Sequence, residues 1–187
     1  MQGKFIVLEG IDGCGKTTIA QLLAKKIKNT WVTKEPTTET PAGKKIQAIL
    51  RHKQPAPAPL IMQQLYITDR KAHTKKIKAA LAKGKIVICQ RYALSTLAYG
   101  TAFGISQKAL LHPYIKPDLT VLLDLPAEEA MKRIASRKQG REYFEKKEKL
   151  AKIRKQYLKL AKKYKAVIID AKPAPKVIVE KILSILG

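Results

Sequence analysis

The run Gly10-Ile11-Asp12-Gly13-Cys14-Gly15-Lys16-Thr17-Thr18 limits what this chain can fold into more than any other stretch. It follows the apolar Phe5-Ile6-Val7-Leu8 and precedes Ile19, Leu22, Leu23 and Ile27 at helical spacing. The order is therefore strand, glycine-rich loop, helix. The spacing G-x-x-x-x-G-K-[ST] is that of a phosphate-cradling loop. Glycines let backbone N–H groups converge on phosphate oxygens, and the helix N-terminus reinforces that anion nest. Gly10, Gly13, Cys14, Gly15 and Thr18 supply the cradle, Lys16 is placed to bridge terminal phosphates, and the Thr17 hydroxyl to ligate Mg²⁺. The alternative is a lysine-bearing turn between a strand and a helix.

At 187 residues the chain is long enough for one domain with a full core, and its 45% hydrophobic content fits a globular protein. No apolar run reaches the length of a membrane span, and the N-terminus leads directly into a strand, so the expected compartment is cytoplasmic. Cys14 lies in the loop and Cys89 in an apolar strand, which argues against a structural disulfide. The balance of 38 basic against 14 acidic residues gives a net charge of +24. Such a charge favours polyanions, but the lysines are spread along the chain without an arginine–aromatic cluster, so no dedicated nucleic-acid binding is expected. His52, His73 and His112 are far apart, which predicts surface or hydrogen-bonded histidines rather than a zinc site.

Read in order, Trp31 to Thr33 is a second strand, ended by the polar loop around Pro36. Helices are expected from Ala42 to Arg51 and from Leu60 to Lys83, joined by the short, stiff Pro55-Ala56-Pro57-Ala58-Pro59, which reads as a connector with a hinge as the alternative. Lys85 to Cys89 lacks polar alternation, as a parallel strand covered on both faces should. It delivers Gln90-Arg91-Tyr92 to its C-terminal end, the edge where open α/β sheets bind ligands. Leu119 to Leu123 and Ala166 to Ile169 are further strands. Helices are expected around Ala130 to Ile134, over Phe144 to Tyr164, and over Val177 to Leu186. The alternation predicts an α/β protein: a three-layer α/β/α fold around a mostly parallel five-stranded sheet, in a single domain over 1–187. Arg137 and Arg141 flank Gly140 in a basic segment between two helices, which predicts a short lid at about 136–145.

Along nearly its whole length the chain resembles the thymidylate kinases, within the P-loop nucleoside-monophosphate kinases. The resemblance is carried by Phe5 through Thr18, Glu35-Pro36, Tyr66 and Arg70, Arg91 through Tyr99, Pro117 through Leu125, and Ile169-Asp170-Ala171. It implies ATP-dependent phosphorylation of dTMP to dTDP with Mg²⁺, and a homodimer. It further implies that Arg91 touches the acceptor phosphate and the transferring group, that Tyr66 stacks on the acceptor base, and that Arg70 bonds the base's carbonyl edge. Glu35, Pro36 and Ser95 belong to the same implied acceptor site. Asp12 matches an acidic residue that contacts the acceptor sugar or a magnesium-bound water, and Tyr99 an aromatic packed against the sugar. Arg133 matches an arginine laid against adenine, and Ala171 and Lys172 the loop that receives adenine. With Gly13 and Cys14 inside the P-loop, the lid arginines Arg137 and Arg141 are left to supply catalytic charge. For Tyr66 and Arg70 the alternative is a core aromatic with a snorkelling arginine; for Arg91 and for the lid, solvated basic turns.

The chain departs from the family pattern at some positions. Gln90 stands where the family has an acidic residue, Gly100 where many relatives carry a polar side chain facing the pyrimidine, and Lys34 and Thr37-Thr38 replace arginine or glycine. An amide can hold a metal-bound water but cannot offset cation charge, which implies either a lower metal affinity or a larger share of that load for Asp12 and a lid carboxylate such as Glu145. The alternatives are a kinase of another nucleoside monophosphate or of a deoxynucleoside, and a non-catalytic P-loop nucleotide-binding protein.

Overall fold

Five short strands, apolar and mostly buried at the centre, pair all-parallel in the order β2-β3-β1-β4-β5. They are β1 (Phe5–Glu9), β2 (Thr30–Lys34), β3 (Ile86–Gln90), β4 (Leu119–Asp124) and β5 (Val167–Asp170) in a computed structural model that describes residues 3–136 and 142–187. Parallel pairing needs crossovers, and helices supply them: α1 (Lys16–Lys26), α2 (Pro41–Leu50), α3 (Pro59–Ala82), α4 (Ala93–Ala102), α5 (Gln107–Leu110), α6 (Ala127–Ala135), α7 (Lys147–Lys163) and α8 (Pro175–Leu186).

Side chains alternate across β1. Ile6 and Leu8 join Ile19 and Leu23 of α1 and Ile178 and Ile182 of α8 in one core cluster. Phe5 and Val7 join Val87, Cys89, Ile77 of α3, and Tyr92 in another. The expected α/β layering and parallel sheet are borne out. Register sets the strand ends level: Leu8 and Lys34 both pair with Gln90, and Asp124 with Asp170. All these C-terminal ends therefore open on one edge.

Helix α3 ends as its sequence suggests. Gly84 adopts φ +70, and the amides of Gly84 and Lys85 return to the carbonyls of Leu81 and Ala80. Two elements differ from expectation. A short α5 forms where none was expected, capped by the Ser106 hydroxyl, which accepts from the Ala109 amide. The charged helix expected from Phe144 begins only at Lys147. Phe144 instead packs edge-on against Tyr99, 5.0 Å between ring centres, with Phe103 and Tyr143 alongside, and Lys146 is extended. That aromatic packing outweighs the local preference for another helical turn. No helix among the described residues is long and apolar enough to cross a membrane.

Candidate functional site

The phosphate loop leaves β1 and enters α1 through Gly15 at φ +96, a left-handed N-cap with no side-chain hydrogen bond. The first turn of α1 carries no acidic residue. Its amides and the positive end of the helix dipole are thus left to an anion. Gly13, at φ +84, packs so closely on α6 that a Cβ would stand 2.7 Å from the Ala130 carbonyl oxygen. Any side chain there would push the loop off its support. Lys16 is buried; its Nζ donates to the carbonyls of Gly10 (3.0 Å) and Ile11 (2.9 Å) and lies 3.6 Å from Cys14 Sγ. Burial and the neighbouring Arg91 cation lower its pKa. Thr17 Oγ1 donates to Gln90 Oε1 at 2.8 Å, which leaves the hydroxyl's lone pairs for a cation.

Arg91 follows the last residue of β3 at φ +64, an uncommon conformation for a non-glycine residue, held by its amide donating to Leu8 O. That turn aims its side chain over the sheet edge. Its guanidinium donates to Asp12 Oδ1 (2.5 Å), Tyr157 Oη (3.2 Å) and Ser95 Oγ (3.4 Å), and lies over the Tyr99 ring, 5.0 Å from its centre. Tyr99 Oη donates to the other oxygen of Asp12 at 3.0 Å. Burial pushes the Asp12 carboxyl up, but Arg91, Lys16 and the Tyr99 hydroxyl outweigh it and hold the pKa at about 2. Beneath this cluster Glu9, at the end of β1, is fully buried. It accepts from the amides of Tyr92 (2.9 Å) and Ser95 (3.2 Å), from Ser95 Oγ (2.6 Å), and from Tyr157 Oη (3.0 Å). One carboxylate thus ties β1, the start of α4 and α7 together.

Helix α3 turns Gln63, Tyr66, Arg70 and His73 toward the sheet edge at spacings of three and four. Arg70 is 2% exposed. Its Nε donates to Glu35 Oε2 (2.7 Å), one terminal nitrogen to Tyr92 O (2.9 Å) and Thr96 Oγ1 (3.0 Å), and the other to His112 Nε2 (3.0 Å). The second Glu35 oxygen is 3.0 Å from His73 Nδ1. Both oxygens of Glu35 are therefore committed to protein groups. Asp69 accepts from the Thr37 amide (2.7 Å) and from the hydroxyls of Thr37 (2.6 Å) and Thr40 (2.5 Å), which fixes the loop that carries Pro36.

Several of these groups border one cavity of about 430 Å³. Asp12, Gly13, Gly15, Lys16, Thr17 and Thr18 line its phosphate-loop end, and Glu35, Pro36, Tyr66 and Arg70 the other, with Arg91, Ser95 and Tyr99 between. Burial pushes the Tyr66 phenol up. Gly10 and Cys14 lie within the loop rather than on its cavity face. Arg133 sits apart: it donates to the carbonyls of Ala171 (2.9 Å) and Lys172 (3.3 Å), which joins the three residues expected to bind adenine. Arg137 and Arg141 lie outside the described residues.

Gly100 needs correction. It does not face the cavity; a Cβ there would meet Leu110 Cδ1 at 2.4 Å. The cavity-facing positions on α4 are Ser95, Thr96 and Tyr99. Sequence reasoning missed Glu9, Gln63, Thr96, Tyr157 and Glu142. A carboxylate closing an otherwise apolar strand could have flagged Glu9. Tyr157 is a core residue of α7 with its hydroxyl turned to the site. Glu142 lines the cavity with its pKa raised by burial, Asp12 and Glu145.

Comparison with known proteins agrees with this geometry. The sequence profile described as "Thymidylate kinase" matches residues 8–182. A chain of Pyrococcus abyssi named "Probable thymidylate kinase" is 39% identical over all of this chain and 97% of its own length. One of Pyrococcus horikoshii with the same name is 42% identical over 88% of this chain and 85% of its own. The solved thymidylate kinase of Candida albicans superposes with a TM-score of 0.81 at 25% identity, covering 99% of this chain and 91% of that one. With its P-loop, its Arg91 turn and its α3 pocket on one sheet edge, the chain belongs to the thymidylate kinase family.

Proposed function

We propose that the protein transfers the γ-phosphoryl group of ATP to the 5′-phosphate of dTMP, giving dTDP and ADP. The observation that carries this reading is the shared cavity. Its phosphate-loop end suits a triphosphate, and its α3 end offers an aromatic ring and an arginine to a base, with Arg91 between the two. Phosphoryl transfer needs positioning and charge neutralisation more than covalent chemistry. The loop amides and Lys16 hold the β- and γ-phosphates. Lys16 reaches them by exchanging a loop carbonyl for a phosphate oxygen, a matter of side-chain torsions. Arg91 bridges the acceptor phosphate and the transferring group. Tyr66 stacks on the base, and Arg70 and Thr96 meet its edge within the pocket bounded by Pro36. Tyr99 and Asp12, locked together, pack against the sugar; Ser95 orients Arg91. Arg133 with Ala171 and Lys172 receives adenine, and Arg137 and Arg141 add charge from the lid.

Mg²⁺ fits the residues present. The lone pairs of Thr17 Oγ1 are available, and Gln90 stands beside it to hold a water. A magnesium ion on ATP needs only one or two protein oxygens, with phosphates and water completing its octahedron. Bound there, it would neutralise charge between the β- and γ-phosphates. Asp12 suits this role less, because both its oxygens already accept from Arg91 and Tyr99. A cytoplasmic homodimer completes the reading. Steady-state turnover of dTMP, dUMP, dCMP and dGMP with ATP and Mg²⁺ tests it. The highest kcat/KM is expected for dTMP; negligible turnover of dTMP beside brisk turnover of another acceptor would overturn the substrate assignment.

A further inference from the structure

Gln63 lies on α3 one turn before Tyr66, lines the same cavity and is 3% exposed. Among the described residues, nothing gives its amide a hydrogen bond or takes one from it. This is unusual for a buried amide, which costs free energy unless its donors and acceptor are met. No fully water-excluded side-chain polar atom among the described residues lacks a partner, so the small accessible part of this amide is its way of being satisfied, through the cavity. The contrast with its neighbours is sharp. Arg70, two turns along the same face, directs four N–H groups at Glu35, His112, Tyr92 and Thr96. Gln47, which also lines the cavity, donates to the Thr37 carbonyl at 3.3 Å.

We propose that the Gln63 amide reads the base of the acceptor nucleotide, hydrogen-bonding the edge of a pyrimidine stacked on Tyr66. This rests on the acceptor reading given above and adds a specificity residue to it. The chemistry suits the position. An amide presents a donor and an acceptor side by side, which matches the adjacent N3–H and C4=O of thymine. Rotated by half a turn, it also matches the N3 and amino group of cytosine. Arg70, which only donates, favours a carbonyl. Gln63 therefore contributes affinity for a pyrimidine edge, while Arg70 decides between carbonyl and amine.

The test is calorimetric binding and steady-state kinetics on the full chain, comparing wild type with Gln63→Met, a near-isostere lacking the polar atoms. Gln63→Ala, which demands no fit, is the second variant, and thermal unfolding checks that both fold. Both variants should bind dTMP ~10-fold more weakly, as expected for a lost hydrogen bond at a site built to make it. KM for dTMP should rise with kcat within about threefold. KM for ATP should stay put, as should the affinity for 2-deoxyribose 5-phosphate, which has no base. Unchanged dTMP affinity, or equal losses for dTMP and the sugar phosphate, would overturn the role of Gln63 while leaving the acceptor site intact. If wild type binds another pyrimidine monophosphate but not dTMP, the substrate reading fails, and the same variant comparison on that ligand decides the role of Gln63. If wild type binds no nucleoside monophosphate, both fall.

Discussion

The two ends of the cavity are built by opposite means. The phosphate-loop end is local and made largely of main chain: residues 10–18, in one uninterrupted run, supply the amides, the lysine and the hydroxyl. The acceptor end is assembled from side chains of β1, the loop after β2, α3, α4 and α7, as far apart in sequence as Glu9 and Tyr157, whose carboxylate and hydroxyl stand 3.0 Å apart. The first end holds its shape because glycine conformations and the helix N-terminus dictate it. The second depends on buried ionic hydrogen bonds, each of which fails if a partner is removed. One end should therefore lose chemistry without losing stability when mutated, and the other should lose stability as well.

Lys16→Ala should give the largest effect, lowering kcat/KM by ~10²-fold or more through lost transition-state charge stabilisation, while dTMP affinity and thermal stability change little. A fall in dTMP affinity comparable to the fall in turnover would show that the two ends are not separable. Glu9→Ala should act the other way. It strands the Tyr92 amide and one of the two hydroxyl protons of Ser95 and Tyr157, while the Ser95 amide keeps Tyr92 O and the two hydroxyls keep each other. A loss of about 3 kcal/mol in urea unfolding is expected, given the cost of orphaned buried donors, and Arg91 should become less well held. A loss below about 0.5 kcal/mol, the scale of an ordinary surface substitution, would mean that the carboxylate is not the keystone described here.

The smallest effect is set by pH. The folded pKa of Asp12, about 2, lies below that of an unfolded aspartate, near 4. Its ion pair therefore adds stability above about pH 4, and that contribution disappears as pH falls toward 2. Asp12→Asn should flatten this limb of the stability–pH curve relative to wild type. Parallel curves for the two proteins would show that Asp12 is not depressed.

The same contrast governs what could be read from sequence. The phosphate loop, the strand alternation and the parallel sheet were legible because each is a local pattern: glycine spacing, an unbroken apolar run, a helical period. Tyr66, Arg70 and Arg91 were found through family resemblance and strand-end placement. The contacts that hold them were not, because nothing local links Glu35 to His73, or Glu9 to Tyr157. Gly100 was misjudged for the same reason. Which face of α4 meets the cavity depends on how Leu110 packs against it, a contact made by a short helix that the sequence does not announce. The start of α7 slipped because Phe144 answers to Tyr99 and Phe103 rather than to helix propensity.

The central claim is that donor and acceptor nucleotides occupy two separately formed ends of one cavity. Calorimetric titration of dTMP into the protein without ATP tests it most directly. The account predicts saturable binding at one site per chain, retained in Lys16→Ala and weakened by ~10-fold or more in Arg70→Ala, where a charged donor to the base is lost. An absence of binding heat until ATP is added, or dTMP binding abolished by Lys16→Ala, would contradict it.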